Sequence, residues 1–126
     1  MQKNLVLPWP PSVLSPNSRA HWAALARAKK AYRTACGWEA RAQGLARYSN
    51  SSTSETGAVL VSVKFCPPDK RHRDFDNALS ALKSGFDGLV DALGIDDSKW
   101  ILQLHRGWGQ VVKGGQVQVT LEVQKQ

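Results

Sequence analysis

The run from Ala58 to Cys66, AVLVSVKFC, is crowded with β-branched residues and stops at Pro67-Pro68. Such residues pack best on a pleated surface, and proline lacks the N–H that a sheet ladder needs, so a strand ends there. Soon afterwards Leu79, Leu82, Phe86, Leu89 and Leu93 recur at intervals of three, four, three and four. That spacing places them on one face of a helix running from Asn77 to Leu93, which Gly94 ends because glycine takes a left-handed C-cap without strain. A strand followed directly by an amphipathic helix confines the chain to folds in which helices lie on a sheet.

The flanking segments fill in the rest. Leu5-Val6-Leu7 is a short strand stopped by Pro8-Trp9-Pro10-Pro11, and a loop follows from Ser12 to Ser18. Between Arg19 and Gly44, the residues Trp22, Leu25, Ala28, Tyr32, Ala35 and Ala42 lie mostly three or four apart. They predict a first helix whose middle Gly37 weakens. Trp100 to Trp108 and Gln116 to Gln124 alternate imperfectly, and Lys113-Gly114-Gly115 between them has the turn chemistry of a hairpin. The expected order is β-α-β-α-β-β. This is an α+β fold: a single two-layer domain over residues 1–126, with two helices on a small mixed sheet and the Ala58–Cys66 strand at its centre. Residues 49–56, polar and Ser-rich, are expected to form a mobile loop.

A chain of 126 residues with 42% hydrophobic content supplies one genuine core. Lys and Arg total 17 against 10 acidic residues, a net charge of +7 that favours a polyanionic partner such as nucleic acid. Cys36 and Cys66 form no CxxC or Cys/His cluster, so neither structural zinc nor a disulfide framework is indicated. The N-terminal apolar run is too short for a signal peptide, and no stretch of about 18 apolar residues occurs. A soluble, cytoplasmic protein with no membrane association is expected.

Asp74 and Asp76 stand two residues apart, where a strand has ended and a helix begins. Irregular backbone there can aim both carboxylates at one cation; equally, Asp76 can simply cap the helix. The first reading gains from Lys70-Arg71-His72-Arg73 immediately before them, since acid within a basic patch suits metal-assisted phosphodiester chemistry. At about 100° per residue, Asp76, Lys83 and Asp87 fall within roughly 40° of one another beside the apolar stripe. Lys83 is therefore either an active-site cation or half of a surface ion pair with Asp87. Asp96-Asp97 follows the helix stop. A helix of about 17 residues is about 25 Å long, so this pair reaches Asp74 only if the chain doubles back or a second subunit supplies it.

Together, Arg73-Asp74-x-Asp76-Asn77, Lys83, Phe86-Asp87-Gly88-Leu89 and Gly94-x-Asp96-Asp97-Ser98 resemble the RusA family of Holliday junction resolvases. The opening Leu7-Pro8-Trp9-Pro10-Pro11-Ser12 is similar to that family's start. The resemblance runs in order over nearly the whole chain and implies a RusA-like fold. It further implies a homodimeric, Mg²⁺-dependent endodeoxyribonuclease, served also by Mn²⁺, that nicks four-way DNA junctions symmetrically in recombination and repair. Such proteins act in the bacterial cytoplasm and are often carried by phages and prophages. The family's essential aspartates map onto Asp74, Asp76 and Asp97, with Asp96 also in the motif as a metal ligand candidate, and its lysine maps onto Lys83. The stretch between Asn77 and that lysine is longer here than in the family's motif.

DNA affinity is expected from Arg19, Arg27, Lys29, Lys30, Arg33, Lys70, Arg71, Arg73, Arg106 and Lys113. His21, His72 and His105 suit structural or phosphate-adjacent roles, because Mg²⁺ prefers oxygen. Trp22, Tyr32 and Trp38 are expected to pack the first helix on the sheet, while Trp9, in its proline-rich turn, is placed to stack on an unpaired base. Two alternatives stay open: a metal-dependent nuclease for other branched DNA or RNA, and a non-catalytic DNA-binding module whose acids only cap and pair.

Overall fold

β-branched runs become strands here, and the apolar helical stripes lie across one face of the sheet they build. The structure is a computed structural model that describes residues 2–46 and 56–125. The elements are β1 (Gln2–Pro8), α1 (Trp22–Ala42), β2 (Thr56–Cys66), α2 (Phe75–Leu93), β3 (Trp100–His105) and β4 (Gln116–Lys125), with 3₁₀ turns at Ser12–Leu14 and Asp97–Lys99. The expected order and the α+β class are therefore observed. Of the Ser-rich stretch expected to be mobile, residues 49–55 lie outside the described residues, and Thr56 opens β2.

The four-stranded sheet has the order β1-β4-β2-β3. β4 is antiparallel to both β1 and β2, while β2 and β3 run parallel. Parallel neighbours need a crossover, and α2 provides it. Side chains alternate across the sheet, so Leu5, Leu7, Val59, Val61, Val63, Phe65, Val117, Val119, Leu121 and Val123 are all buried under the helices. The other face is polar: Thr120 Oγ1 donates to Asn4 Oδ1 at 3.0 Å, and Ser62 Oγ to Gln103 Oε1 at 3.0 Å. Gln43, just after α1, bonds both backbone groups of Val6 (2.7 and 2.6 Å) and so blunts the free edge of β1.

The expected hairpin between the last two strands is corrected. Lys113-Gly114-Gly115 does turn, with φ of 80° and 74° at the glycines and the Gly115 N–H donating to Val112 O at 2.7 Å. Yet β3 and β4 never pair; they flank β2 on opposite sides. The intervening chain crosses the end of β2, held by Gly109 N–H to Phe65 O at 2.7 Å and Val112 N–H to Pro67 O at 3.0 Å. Turn chemistry marks where a chain bends, not which strand it joins next.

α1 and α2 cross at glycine. A Cβ on Gly88 would collide with the Arg33 carbonyl oxygen and lie 2.9 Å from Gly37 N, so only hydrogen fits. Gly37, read from sequence as a weak point, instead permits this close approach. The crossing rotates α1 so that Tyr32, Cys36, Gly37 and Ala40 face inward. Trp22 and Trp38, expected to pack on the sheet, consequently lie outside, 75% and 65% exposed. Tyr32 is buried as expected, its hydroxyl donating to Pro8 O at 2.7 Å and anchoring the proline-rich turn. Burial raises the Tyr32 phenol and pushes the adjacent Cys36 thiol up to about 11, so both are neutral core groups. Among the described residues no helix is long and apolar enough to cross a membrane.

Candidate functional site

The N-terminal end of α2 is built on aromatics. Phe75, between the two aspartates, turns inward and meets Phe65 edge-on at 5.5 Å and Trp108 at 6.0 Å, while Trp9 meets Phe65 at 5.9 Å. With Phe75 buried, Asp74 and Asp76 are both left exposed on the outer surface. Asp74, in extended backbone, is the helix N-cap and accepts the Asp76 N–H at 2.8 Å. The capping alternative thus applies to Asp74 rather than Asp76. Asp76 lies in the first turn, where the helix dipole favours a carboxylate, and faces Arg106 Nη2 at 3.6 Å. The Arg106 guanidinium lies 4.9 Å over the Phe75 ring.

The preceding loop is braced from within. Arg73, 14% exposed, donates to Asp69 Oδ1 at 2.8 Å and to the carbonyls of Asp69 and Arg71 at 3.0 Å. Its guanidinium sits 5.6 Å over the Trp9 ring. The Arg71 backbone N–H, and after it Arg73, hold the Asp69 carboxyl below the usual carboxylate range. Beside this brace opens a cavity of about 400 Å³, walled by the proline-rich turn, by residues 71–73, and by Asp74, Asn77, Ala78 and Ala81 of the α2 start.

At the other end of α2 the chemistry is different. The Gly94 N–H closes the helix on Val90 O at 2.8 Å with φ of 81°, and Asp96 accepts the Ser98 N–H at 3.1 Å. Asp97 is raised above the usual carboxylate range, first by its hydrogen bond with Asp96, then by burial and by the charges of Asp96 and Asp87. α2 is about 28 Å long, with Asp74 and Asp76 at its start and Asp96 and Asp97 just past its C-terminal end. The chain does double back, since β3 starts opposite Val59 and runs parallel to β2. What it carries to Asp76, however, is Arg106. The structure brings Asp74 and Asp76 together and leaves Asp96 and Asp97 apart from them. Among the described residues no three His, Cys, Asp or Glu side chains lie close enough to share a metal ion.

Lys83 lies between the two ends, two turns and about 10 Å along the axis from Asp76. With Asp87, Ser80 and Ser84 of α2 and Lys29 of α1 it lines a smaller cavity of about 170 Å³. The other predicted cations divide into two groups. Arg33 is committed to Asp91 in a bidentate pair (2.8 and 2.8 Å) that ties α1 to α2 and lowers the Asp91 carboxyl, and Arg73 is committed to Asp69. Arg19, Arg27, Lys29, Lys30, Lys70, Arg71, Arg106 and Lys113 are exposed. His21 is structural, its Nδ1 capping α1 by accepting the Ala23 N–H at 3.2 Å.

Sequence reasoning missed the contact of Arg106 with Asp76 and the aromatic floor under Asp74. A signal for the floor was present: Phe75 is the apolar residue at the very start of the helix, four positions before the stripe residue Leu79. Arg106 gave none, because its position depends on which strand β3 joins.

No family model matches the chain. It is similar to an uncharacterized protein of Xylella fastidiosa (strain Temecula1 / ATCC 700964), 38% identical over 99 residues. The match covers 79% of this chain and 63% of that protein, so the chain aligns with less than two thirds of its relative's length.

Proposed function

We propose that the protein is a Mg²⁺-dependent, structure-specific endodeoxyribonuclease that resolves four-way DNA junctions as a homodimer. The observation that carries this reading is the N-terminal end of α2, where two outward carboxylates over a fixed aromatic floor are edged by Arg71, His72 and Arg106. Carboxylate oxygens suit a hard cation, and the flanking positive charge suits a phosphodiester. Asp74 and Asp76 make up part of such a site. Within one chain the third carboxylate of the motif, Asp97, does not gather with them into a metal-binding group among the described residues.

A second copy completes it. A two-fold axis perpendicular to α2 reverses the helix direction, so the Asp97 end of one chain meets the Asp76 end of the other. The flank of α2 and β3 supports such pairing: Leu79 and Phe86 are half-buried, and Leu102, on the helix side of the sheet, is 41% exposed. Beside them the buried Trp100 Nε1 has no acceptor among the described residues.

Asp74, Asp76 and the partner's Asp97, with Asp96 beside them, would hold a Mg²⁺ or Mn²⁺ ion, which would supply Lewis-acid polarisation of a phosphoryl oxygen and a lowered pKa for a bound water. Arg106 and Arg71 position the backbone phosphates, and Lys83 stabilises charge developing on the phosphoryl group. The setting is DNA recombination and repair in a bacterial cytoplasm, with a phage or prophage origin for the gene.

Mixing subunits tests the shared site. Asp76→Asn and Asp97→Asn homodimers are each expected to bind a four-way junction without cutting it. A mixed dimer has one intact site and one doubly altered site, so mixing restores single nicks. A mixture that stays inactive sinks the shared site. Cleavage unaffected by Asp76→Asn means a non-catalytic role for these acids, and preference for flaps or RNA over four-way DNA redirects the substrate.

A further inference from the structure

The cavity that Asp74 helps to line runs between the proline-rich turn, residues 71–73 and the start of α2. Its volume of about 400 Å³ lies at the small end of the roughly 300–1,000 Å³ typical of small-molecule sites, the scale of one nucleotide and far below that of a duplex. Its lining has three chemical zones. Trp9, Pro10, Ala78 and Ala81 are apolar walls; Ser12, Ser15, Asn17 and Asn77 offer neutral donors and acceptors; Arg71, beside His72, makes one edge cationic, next to the Asp74 carboxylate.

Apolar walls with neutral hydrogen-bonding groups match a nucleobase, which has flat π-faces and an uncharged polar rim. The cationic edge matches the phosphodiester attached to it. The site is also rigid before anything binds. Trp9 is fixed by Phe65 at its edge, Arg73 over its ring, and Gly115, where a Cβ would come within 2.8 Å of the indole. Arg73 is itself held by Asp69, and the turn by the Tyr32 hydroxyl on Pro8 O. A preformed wall costs little ordering on binding.

We propose that this cavity receives a single unpaired base from the strand to be cut, setting the phosphate next to it against Asp74 and Asp76. The inference rests on the proposed nuclease reading and extends it. It makes base identity at the cut a property of the Ser12, Asn17 and Asn77 side, and it makes strand opening at a junction a condition for entry. A base already unpaired at the exchange point enters at lower cost than one drawn from an intact duplex.

The test uses the full chain and four-way junctions carrying 2-aminopurine singly at each position around the exchange point, bound in EDTA so that nothing is cut. One position is expected to brighten several-fold on binding. Ala78→Phe, which fills the cavity from its wall, abolishes the rise while junction affinity is kept. Asn17→Trp does the same from an exposed loop position outside the core, should Ala78→Phe disturb folding. Binding with no bright position overturns the base site and leaves the nuclease reading intact. A bright, Ala78→Phe-sensitive position without cleavage in Mg²⁺ keeps the base site and overturns the nuclease reading. Absence of binding to four-way, three-way and single-stranded DNA overturns both. Free deoxynucleoside monophosphates, followed by saturation-transfer NMR, are expected to bind only weakly. Tight mononucleotide binding that junction DNA does not displace assigns the cavity to a free nucleotide and overturns the proposal.

Discussion

The two ends of α2 carry the same residue type in opposite electrostatic states. At the start, Asp69, Asp74 and Asp76 each have a donor or cation: Arg73 for the first, the Asp76 N–H for the second, Arg106 for the third. At the far end, Asp97 faces Asp96 and Asp87, and its carboxyl is raised by that company. At one end the carboxylates meet donors and cations; at the other, Asp97 meets first of all another carboxyl, that of Asp96. The proposed two-fold dimer would bring these two acidic groups, at opposite ends of one helix, together across chains.

The largest expected effect breaks the comparison outright if it fails. Asp76→Asn and Asp97→Asn are each predicted to slow Mg²⁺-dependent junction cleavage by about 10²–10³-fold, the scale of losing one charge-stabilising group, with gel-shift affinity retained. If only Asp76→Asn does so, the far end is no part of the site. Next comes the scaffold between the ends. Gly88→Ala forces α1 from α2 and is predicted to cost about 1–3 kcal/mol in urea unfolding, the range for overpacked contacts. An unchanged midpoint would show that the crossing has slack.

A smaller effect separates free from committed cations. Arg71→Ala should reduce the slope of log affinity against log salt by about 1, as for the loss of one phosphate contact. Arg33→Ala, whose guanidinium is already paired with Asp91, should leave that slope alone while lowering the melting temperature. The smallest effect is the sign of two titrations. By carboxyl NMR in metal-free buffer, Asp69 should titrate below the ordinary aspartate value of 3.8 and Asp97 above it. The stabilisation from Asp69 is therefore full above 3.8 and fades as pH falls through its lower native value. For Asp97 the fold favours the protonated form, so its contribution is full below 3.8 and is lost as pH rises through its higher native value.

What was legible in the sequence was local. The β2 run and its Pro67-Pro68 stop, the leucine stripe of α2 and its Gly94 cap all follow from neighbours within a few residues. The phase of α1 was not legible, because its many alanines fit either face and Gly37 meets Gly88 from a distant segment. That rotation is what turned Trp22 and Trp38 outward. The hairpin reading failed for a related reason: alternation identifies a strand without naming its neighbour. At the site, Asp74 and Asp76 were readable because they fall where a strand ends and a helix begins, directly after the basic run Lys70-Arg71-His72-Arg73. Whether Asp97 or Arg106 arrives beside them depends on β3 being parallel to β2, a pairing that no local pattern encodes.

The position of β4 bears on when the molecule can exist as a folded object. The last strand in the chain lies between β1 and β2, joining Gln2 to Glu122 and Cys66 to Gln116. A ribosome that has made every residue through Trp108 has produced both helices and most of the aromatic floor, but no strand to bridge the two halves of the sheet. Such long-range closure slows folding and defers it until β4 has been made. The incomplete chain thus leaves β1 unpaired and the proline-rich wall of the cavity without its Gly115 support. In this architecture, translation itself delays assembly of the site until β4 has been made.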